Sequence, residues 1–169
     1  DGDGYADLAA AAPLYDTPTV DAGRVYLISG ASTVPFGPAT WSADGGQTGE
    51  QFGAALGAAG DTNGDGFADL AVGAPAFDSS ATGEGRVVVY EGSSAGLHAP
   101  PASEIIGVQD GAALGAALGA AGDVDGDGFG DLAVGAPLYD VLPGNDEGQA
   151  AVYLGAAGLL SDTPDWSVE

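Results

Sequence analysis

Cysteine, methionine and lysine are all missing from this 169-residue chain. Without thiols there is no disulfide framework, no thiolate nucleophile and no soft metal site. Two arginines, Arg24 and Arg86, and a lone His98 stand against 25 acidic residues, for a formal net charge of −23. A surface of that sign repels phosphate backbones and anionic lipid, which excludes nucleic acid as a partner. Long apolar runs are missing as well. The least polar stretch, Gly111 to Gly122, is closed by Asp110 and Asp123 and falls well short of the roughly 20 residues that cross a bilayer, so no membrane insertion is expected. No basic and apolar leader precedes the first motif, and the chain as given reads as soluble.

What is present is 45% hydrophobic, enough to bury a core. The acids do not form runs; they sit between apolar segments, which argues for local roles rather than a solvating tail. A halophilic surface with no specific metal is the competing account of such a charge, and it predicts stability that follows ionic strength.

The chain repeats itself. DGDGYADLAAAAP begins at Asp1, NGDGFADLAVGAP at Asn63 and DGDGFGDLAVGAP at Asp125, each 62 residues after the last. A second landmark follows in each copy, GRVYLISG from Gly23, GRVVVYEG from Gly85 and GQAAVYLG from Gly148, with one extra residue in the loop after Tyr139 of the third copy. A third, FGAALGAAGD from Phe52 and LGAALGAAGD from Leu114, occurs only twice. A period of this length signals a repeat architecture.

Each unit reads as short strands. Asp69 to Ala74 and Arg86 to Tyr90 are brief, rich in Val and Leu, and bounded by Gly, Pro, Asp and Ser, which is a strand signature. The Ala- and Leu-rich stretch GAALGAALGAAG is the one that tempts a helical reading. Its glycines at 111, 115, 119 and 122 would each cost up to about 1 kcal/mol in a helix interior, and they suit an inner strand where backbones crowd. The expectation is an all-β fold of tandem four-stranded antiparallel β-propeller-type blades in one repeat domain. Blade 1 covers approximately 1–46 with its first strand missing, blade 2 approximately 47–108 and blade 3 approximately 109–169. Three units do not close a propeller, which takes 4 to 8 blades, so a fragment or an incomplete propeller is expected, with self-association through unpaired blade edges as one consequence.

The chemistry lies in one loop per unit. Asp61, Asn63, Asp65 and Asp69 stand at positions 1, 3, 5 and 9 of the second copy, and Asp123, Asp125, Asp127 and Asp131 at those of the third. Only oxygen donors are offered, which suits a hard cation, and alternation lets a tight loop turn every second side chain inward. The residue at position 7, Phe67 or Phe129, is placed to add its backbone carbonyl, and the glycine at position 6 permits the turn. Calcium is favoured over magnesium because a flexible loop with five or more oxygens matches its 6 to 8 ligands. Two carboxylates about 5 Å apart repel by roughly 3 kcal/mol at an effective dielectric of about 20, so calcium is expected to be part of the fold. In the first copy Asp1, Asp3, Tyr5 and Asp7 match positions 3, 5, 7 and 9; the first ligand is missing there, and a weak or empty third site is expected unless residues ahead of Asp1 were lost. An EF-hand loop begins similarly but needs a Glu at position 12, where Val72 and Val134 stand. An ion-free Asp/Gly turn would explain one DGDG, but not three in register.

With Phe52-Gly53 followed by Gly73-Ala74-Pro75, the variant Leu114-Gly115 followed by Gly135-Ala136-Pro137, and Ala11-Ala12-Pro13 in the first unit, the chain resembles the FG-GAP repeats of integrin α-subunits and their bacterial relatives over nearly its whole length. That resemblance implies propeller blades with calcium in the hairpin loop between the first two strands, an extracellular or cell-surface location, and adhesion or recognition of a protein or carbohydrate ligand.

An enzyme is not expected. His98 has no counterpart in the other copies and lies in a Gly/Pro-rich loop, and the remaining acid/base candidates are carboxylates assigned to metal. The alternative is the non-catalytic repeat part of a secreted, phospholipase-like hydrolase. Arg24 and Arg86 are expected to pair with a carboxylate of their own blade, and Tyr15, Phe77 and Tyr139 to pack between blades.

Overall fold

A computed structural model of the chain describes residues 1–32, 37–142 and 146–169. The extra residue of the third copy falls in a loop of which 143–145 lie outside the described residues. Among those described there is no helix, and therefore none long and apolar enough to cross a membrane.

Among the described residues eleven strands form three antiparallel sheets. The first contains β1 (Leu8–Ala12), β2 (Arg24–Ile28) and β3 (Trp41–Asp44). The second contains β4 (Ala55–Gly60), β5 (Asp69–Ala74), β6 (Arg86–Tyr90) and β7 (Ser103–Ile106). The third contains β8 (Ala117–Gly122), β9 (Asp131–Ala136), β10 (Gln149–Tyr153) and β11 (Trp166–Val168). Each sheet is a meander in chain order, and this is the all-β, blade-like architecture that the repeat predicts. The glycine-spaced stretch becomes strand only in its second half, Ala117–Gly122.

Sheets stack face to face, and strand alternation divides the core in two. In β5 and β6 the residues Leu70, Val72, Ala74, Val88 and Tyr90 join Val25 and Phe52 in a cluster against the first sheet. The alternate residues Ala71, Val87 and Val89 join Leu132, Val134, Ala136, Ala151 and Tyr153 against the third. A strand buried on both faces needs an unbroken apolar run, and RVVVY supplies it. Trp41 of β3 meets Tyr90 edge to face with centroids 4.8 Å apart, tying the outer part of the first sheet to the second.

Inner strands approach closely. A Cβ on Gly57 of β4 would lie 3.0 Å from Cβ of Leu118 on β8, so a bare backbone at Gly57 is what lets Leu118 seat. Polar clamps recur at the loop end opposite the acidic hairpins. The side-chain amide of Gln47 donates to the Asp78 carbonyl and accepts from its N–H, both at 2.8 Å. Gln109 does the same to Asp140, at 2.8 and 2.6 Å.

Arg24 pairs with Asp44 across β2 and β3 and lies over the Tyr15 ring, 4.5 Å from its centroid. Arg86 pairs with Glu104 at 2.7 Å and with the fully buried Glu50 at 2.9 Å, over the Phe77 ring. Phe77 and Tyr139 pack against the inter-sheet clusters as expected. Tyr15 does not; it is exposed beneath its arginine, since among the described residues no sheet packs on the outer face of the first. His98 is an exposed loop residue, its N–H bonded to the Glu91 carbonyl.

Candidate metal centre

The acidic loops are the hairpins from β4 to β5 and from β8 to β9, with the matching segment ahead of β1. Their aspartates first organise the loop's own backbone. In the second sheet Oδ1 of Asp61 accepts the N–H groups of Gly64 and Asp65 at 2.7 and 2.9 Å, and Oδ2 accepts that of Gly66 at 2.8 Å. In the third, Asp123 accepts from Gly126 at 2.7 Å and Gly128 at 3.1 Å. The residues at positions 3 and 5 each accept from the residue two ahead: Asn63 from Asp65, Asp65 from Phe67, Asp125 from Asp127 and Asp127 from Phe129. In the first copy Asp1 accepts from Asp3 and Asp3 from Tyr5. These are the local turns that short carboxylates favour.

Position 9 has a role that the residue pattern alone did not disclose. Asp69 accepts the Thr62 N–H and hydroxyl on Oδ2, at 2.9 and 2.5 Å, and the Gly92 N–H on Oδ1 at 2.8 Å. Asp131 accepts Val124 N–H at 2.7 Å and Gly155 N–H at 2.9 Å. Both carboxylates are buried, and each joins the start of the acidic loop to the segment that follows the third strand of its sheet. Asp7 makes the corresponding bond to Gly30 N–H at 2.8 Å and also receives the Asp1 α-ammonium at 3.1 Å. Its burial works to raise the carboxyl's pKa, but the Gly30 N–H and the ammonium outweigh that and hold it below the ordinary value. Recurrent Gly30, Gly92 and Gly155 after each β2-type strand were the sequence signal for this clamp.

The third loop brings Asp123, Asp125 and Asp131 together, with one oxygen of each within 4.8 Å of the others. Among the described residues this is the acidic grouping with the spacing of a cation site. Asp127, from the same loop, is outside that trio and bonds the Phe129 N–H at 3.0 Å. In the second loop position 3 is Asn63, whose amide donates to Asp65 at 3.1 Å, so that loop carries one negative charge fewer.

Loops of neighbouring sheets touch. A Cβ on Gly64 would fall 2.6 Å from the Phe129 ring, and one on Gly2 would fall 3.1 Å from the Phe67 ring. The aromatic ring at position 7 of one loop therefore rests on a glycine of the preceding loop. Gly130 N–H donates to the Asp61 carbonyl at 2.7 Å, and Ala156 N–H to the Thr62 carbonyl at 3.1 Å. Thus the third sheet holds the entry of the second acidic loop through backbone bonds.

Comparison with known proteins agrees with this architecture. The FG-GAP repeat model matches residues 1–28, 52–90 and 114–154. Integrin alpha-PS2 of Drosophila melanogaster is 41% identical over 115 residues, covering 63% of this chain and 8% of that protein. Integrin alpha-IIb of Mus musculus is 37% identical over 147 residues, 80% of this chain and 14% of its own length. Integrin alpha-PS5 of Drosophila melanogaster is 34% identical over 160 residues, 90% of this chain and 14% of its own length. The chain thus spans a small part of each of these relatives.

Proposed function

The chain belongs to the FG-GAP repeat family, and from that premise we propose that it is a calcium-stabilised recognition module, a binding surface or scaffold rather than an enzyme. The observation that carries the metal part is the convergence of Asp123, Asp125 and Asp131, with the buried Asp131 fixed in place by two backbone donors. A carboxylate offers about four lone-pair sites, so Asp131 and Asp69 keep acceptor capacity after their hydrogen bonds are made. In this reading Asp123, Asp125, Asp127, Asp131 and the Phe129 carbonyl hold one ion, and Asp61, Asn63, Asp65, Asp69 and the Phe67 carbonyl hold a second. Asp1, Asp3, Tyr5 and Asp7 form an incomplete third set.

The ion supplies positive charge where clustered carboxylates otherwise repel. At a calcium concentration a hundredfold above the dissociation constant, each occupied site adds about 2.7 kcal/mol to stability. Extracellular calcium modules work at roughly 10⁻⁴ to 10⁻³ M, so we place the protein outside the cell or at its surface, with a protein or carbohydrate ligand and roles in adhesion or recognition. Isothermal titration and native mass spectrometry test the proposal: two calcium ions per chain are expected, and Asp123→Asn should leave one. A chain that binds no ion in millimolar calcium would reject it.

A further inference from the structure

Of the chain's two asparagines, only Asn63 is followed by glycine. An asparagine ahead of glycine is open to attack on its side-chain carbonyl by the next backbone nitrogen, because glycine has no Cβ to shield that nitrogen and turns freely. Asn63 stands at position 3 of the second acidic loop, half-buried, with Gly64 and Asp65 exposed beside it, so water reaches the pair. The first and third copies carry aspartate at the same position, Asp1 and Asp125, each also ahead of a glycine. A loop of this pattern therefore accommodates the acid as well as the amide.

The closed loop opposes the attack at both reacting atoms. The Gly64 N–H, whose proton must leave before the nitrogen can attack, is held by Oδ1 of Asp61 at 2.7 Å. A carboxylate in that place disfavours the amide anion further, since like charges repel. The Asn63 carboxamide is pinned at both ends by Asp65: its oxygen accepts the Asp65 N–H at 2.9 Å, and its nitrogen donates to the Asp65 carboxylate at 3.1 Å. From the third sheet, the Phe129 ring lies on Gly64 so closely that a Cβ there would be 2.6 Å from it, and the Gly130 N–H holds the Asp61 carbonyl at 2.7 Å. Reaction thus requires the loop to open, as exposed segments do in local unfolding.

We propose that Asn63–Gly64 is a self-modification site, deamidating at a rate set by the opening of the second acidic loop. In the open loop the Gly64 nitrogen loses its proton to solvent and bonds to Cγ of Asn63. The Cγ–Nδ2 bond breaks, and the leaving nitrogen takes a proton from water and departs as ammonia, closing a succinimide ring. Water then opens the ring. Cleavage at Cγ leaves aspartate, the residue of the sibling copies, and adds a negative charge to the loop. Cleavage at the backbone carbonyl leaves isoaspartate, which lengthens the main chain by a methylene and moves Gly64 from beneath the Phe129 ring. None of this chemistry needs an ion in the loop.

The test follows the intact mass of the full chain in mildly alkaline buffer, with peptide mapping to place the change from amide to acid and to separate aspartate from isoaspartate. Asp-Gly pairs that isomerise leave the mass unchanged. The chain unfolded in urea should convert at residue 63, and the folded chain should convert at least about tenfold more slowly, because the open loop is a minor population. Asn63→Gln, which would have to close a larger ring, should abolish conversion there. Asp61→Ala should bring the folded chain's rate toward the unfolded one. Phe129→Ala, which lifts the ring off Gly64 from another sheet, should speed conversion severalfold while circular dichroism still reports a folded chain, and it decides the matter if Asp61→Ala does not fold. Equal rates in the folded and unfolded chains would overturn the proposal, as would a rate unmoved in those of the two variants that fold.

Discussion

The second and third sheets contain two identical hexapeptides, ALGAAG in β4 and β8 and DLAVGA in β5 and β9. Their surroundings differ. All six residues of β5 are buried, whereas Ala133 and Gly135 of β9 are half-exposed, and Ala117, Ala120 and Gly122 of β8 are exposed. The strands pair in the same register, so the residues themselves set the sheet. Burial is set by the neighbour: the second sheet has one on each side, and the third has one only. A strand sequence suited to burial on both faces says how a blade is built, not how many blades flank it.

The largest expected effect comes from putting a charge at matched positions. Ala71 is fully buried against the third sheet, so Ala71→Asp should cost about 3 to 5 kcal/mol, the scale of an uncompensated buried charge. Ala133 occupies the same place in its hexapeptide but faces outward, and Ala133→Asp should cost about 1 kcal/mol or less. Equal losses in denaturant melts would break the comparison.

Phe52, 1% exposed, precedes β4 and packs with Val25, Leu70 and Val72 at the junction of the first two sheets. Phe52→Ala should cost about 3 to 5 kcal/mol, and protease sensitivity should appear first in residues 1–44. Leu114→Ala, at the corresponding junction of the second and third sheets, should cost about 2 to 5 kcal/mol and release the third sheet instead.

Gly64 and Gly126 sharpen the comparison at the loops. Both have positive φ, 78° and 80°, so alanine at either strains the backbone by about 1 to 2 kcal/mol. Only Gly64 carries a ring of the next sheet; a Cβ at Gly126 would meet open space. Gly64→Ala should therefore cost more than Gly126→Ala, and the difference should vanish in a Phe129→Ala background.

The smallest effect concerns Arg24 and Asp44. The guanidinium holds the Asp44 carboxyl below its ordinary value despite opposing desolvation. A carboxylate with a depressed folded-state pKa stabilises above its unfolded value and loses that contribution as pH falls through the folded one. The loss therefore begins below about the ordinary value of 3.8. The pair is partly exposed and screened by solvent. Arg24→Gln should barely change the melt at neutral pH, and NMR titration should show the Asp44 carboxyl moving upward. An unmoved titration would mean that the arginine is not its cause.

The sheets were legible because strands here are local: Asp69 to Ala74 and Arg86 to Tyr90, bounded by Gly, Pro and Asp, begin and end where the composition changes. The spacing of the aspartates in the acidic loops was legible for the same reason, since alternation within nine residues is a local pattern. The bond from Asp131 to Gly155, 24 residues away, was not, nor was the Phe129 ring on Gly64, because both depend on how strands and sheets return upon one another. The exposure of Tyr15 escaped for the opposite reason: repetition implies a neighbour for every unit, and among the described residues none packs on the outer face of the first sheet.

On the proposed reading, divalent charge in the second and third hairpins holds these sheets together. Thermal unfolding of the full chain in millimolar calcium and in excess chelator, at constant ionic strength, tests it directly. The account predicts a melting temperature that falls by many degrees in chelator and returns when calcium is restored; superimposable curves would contradict it.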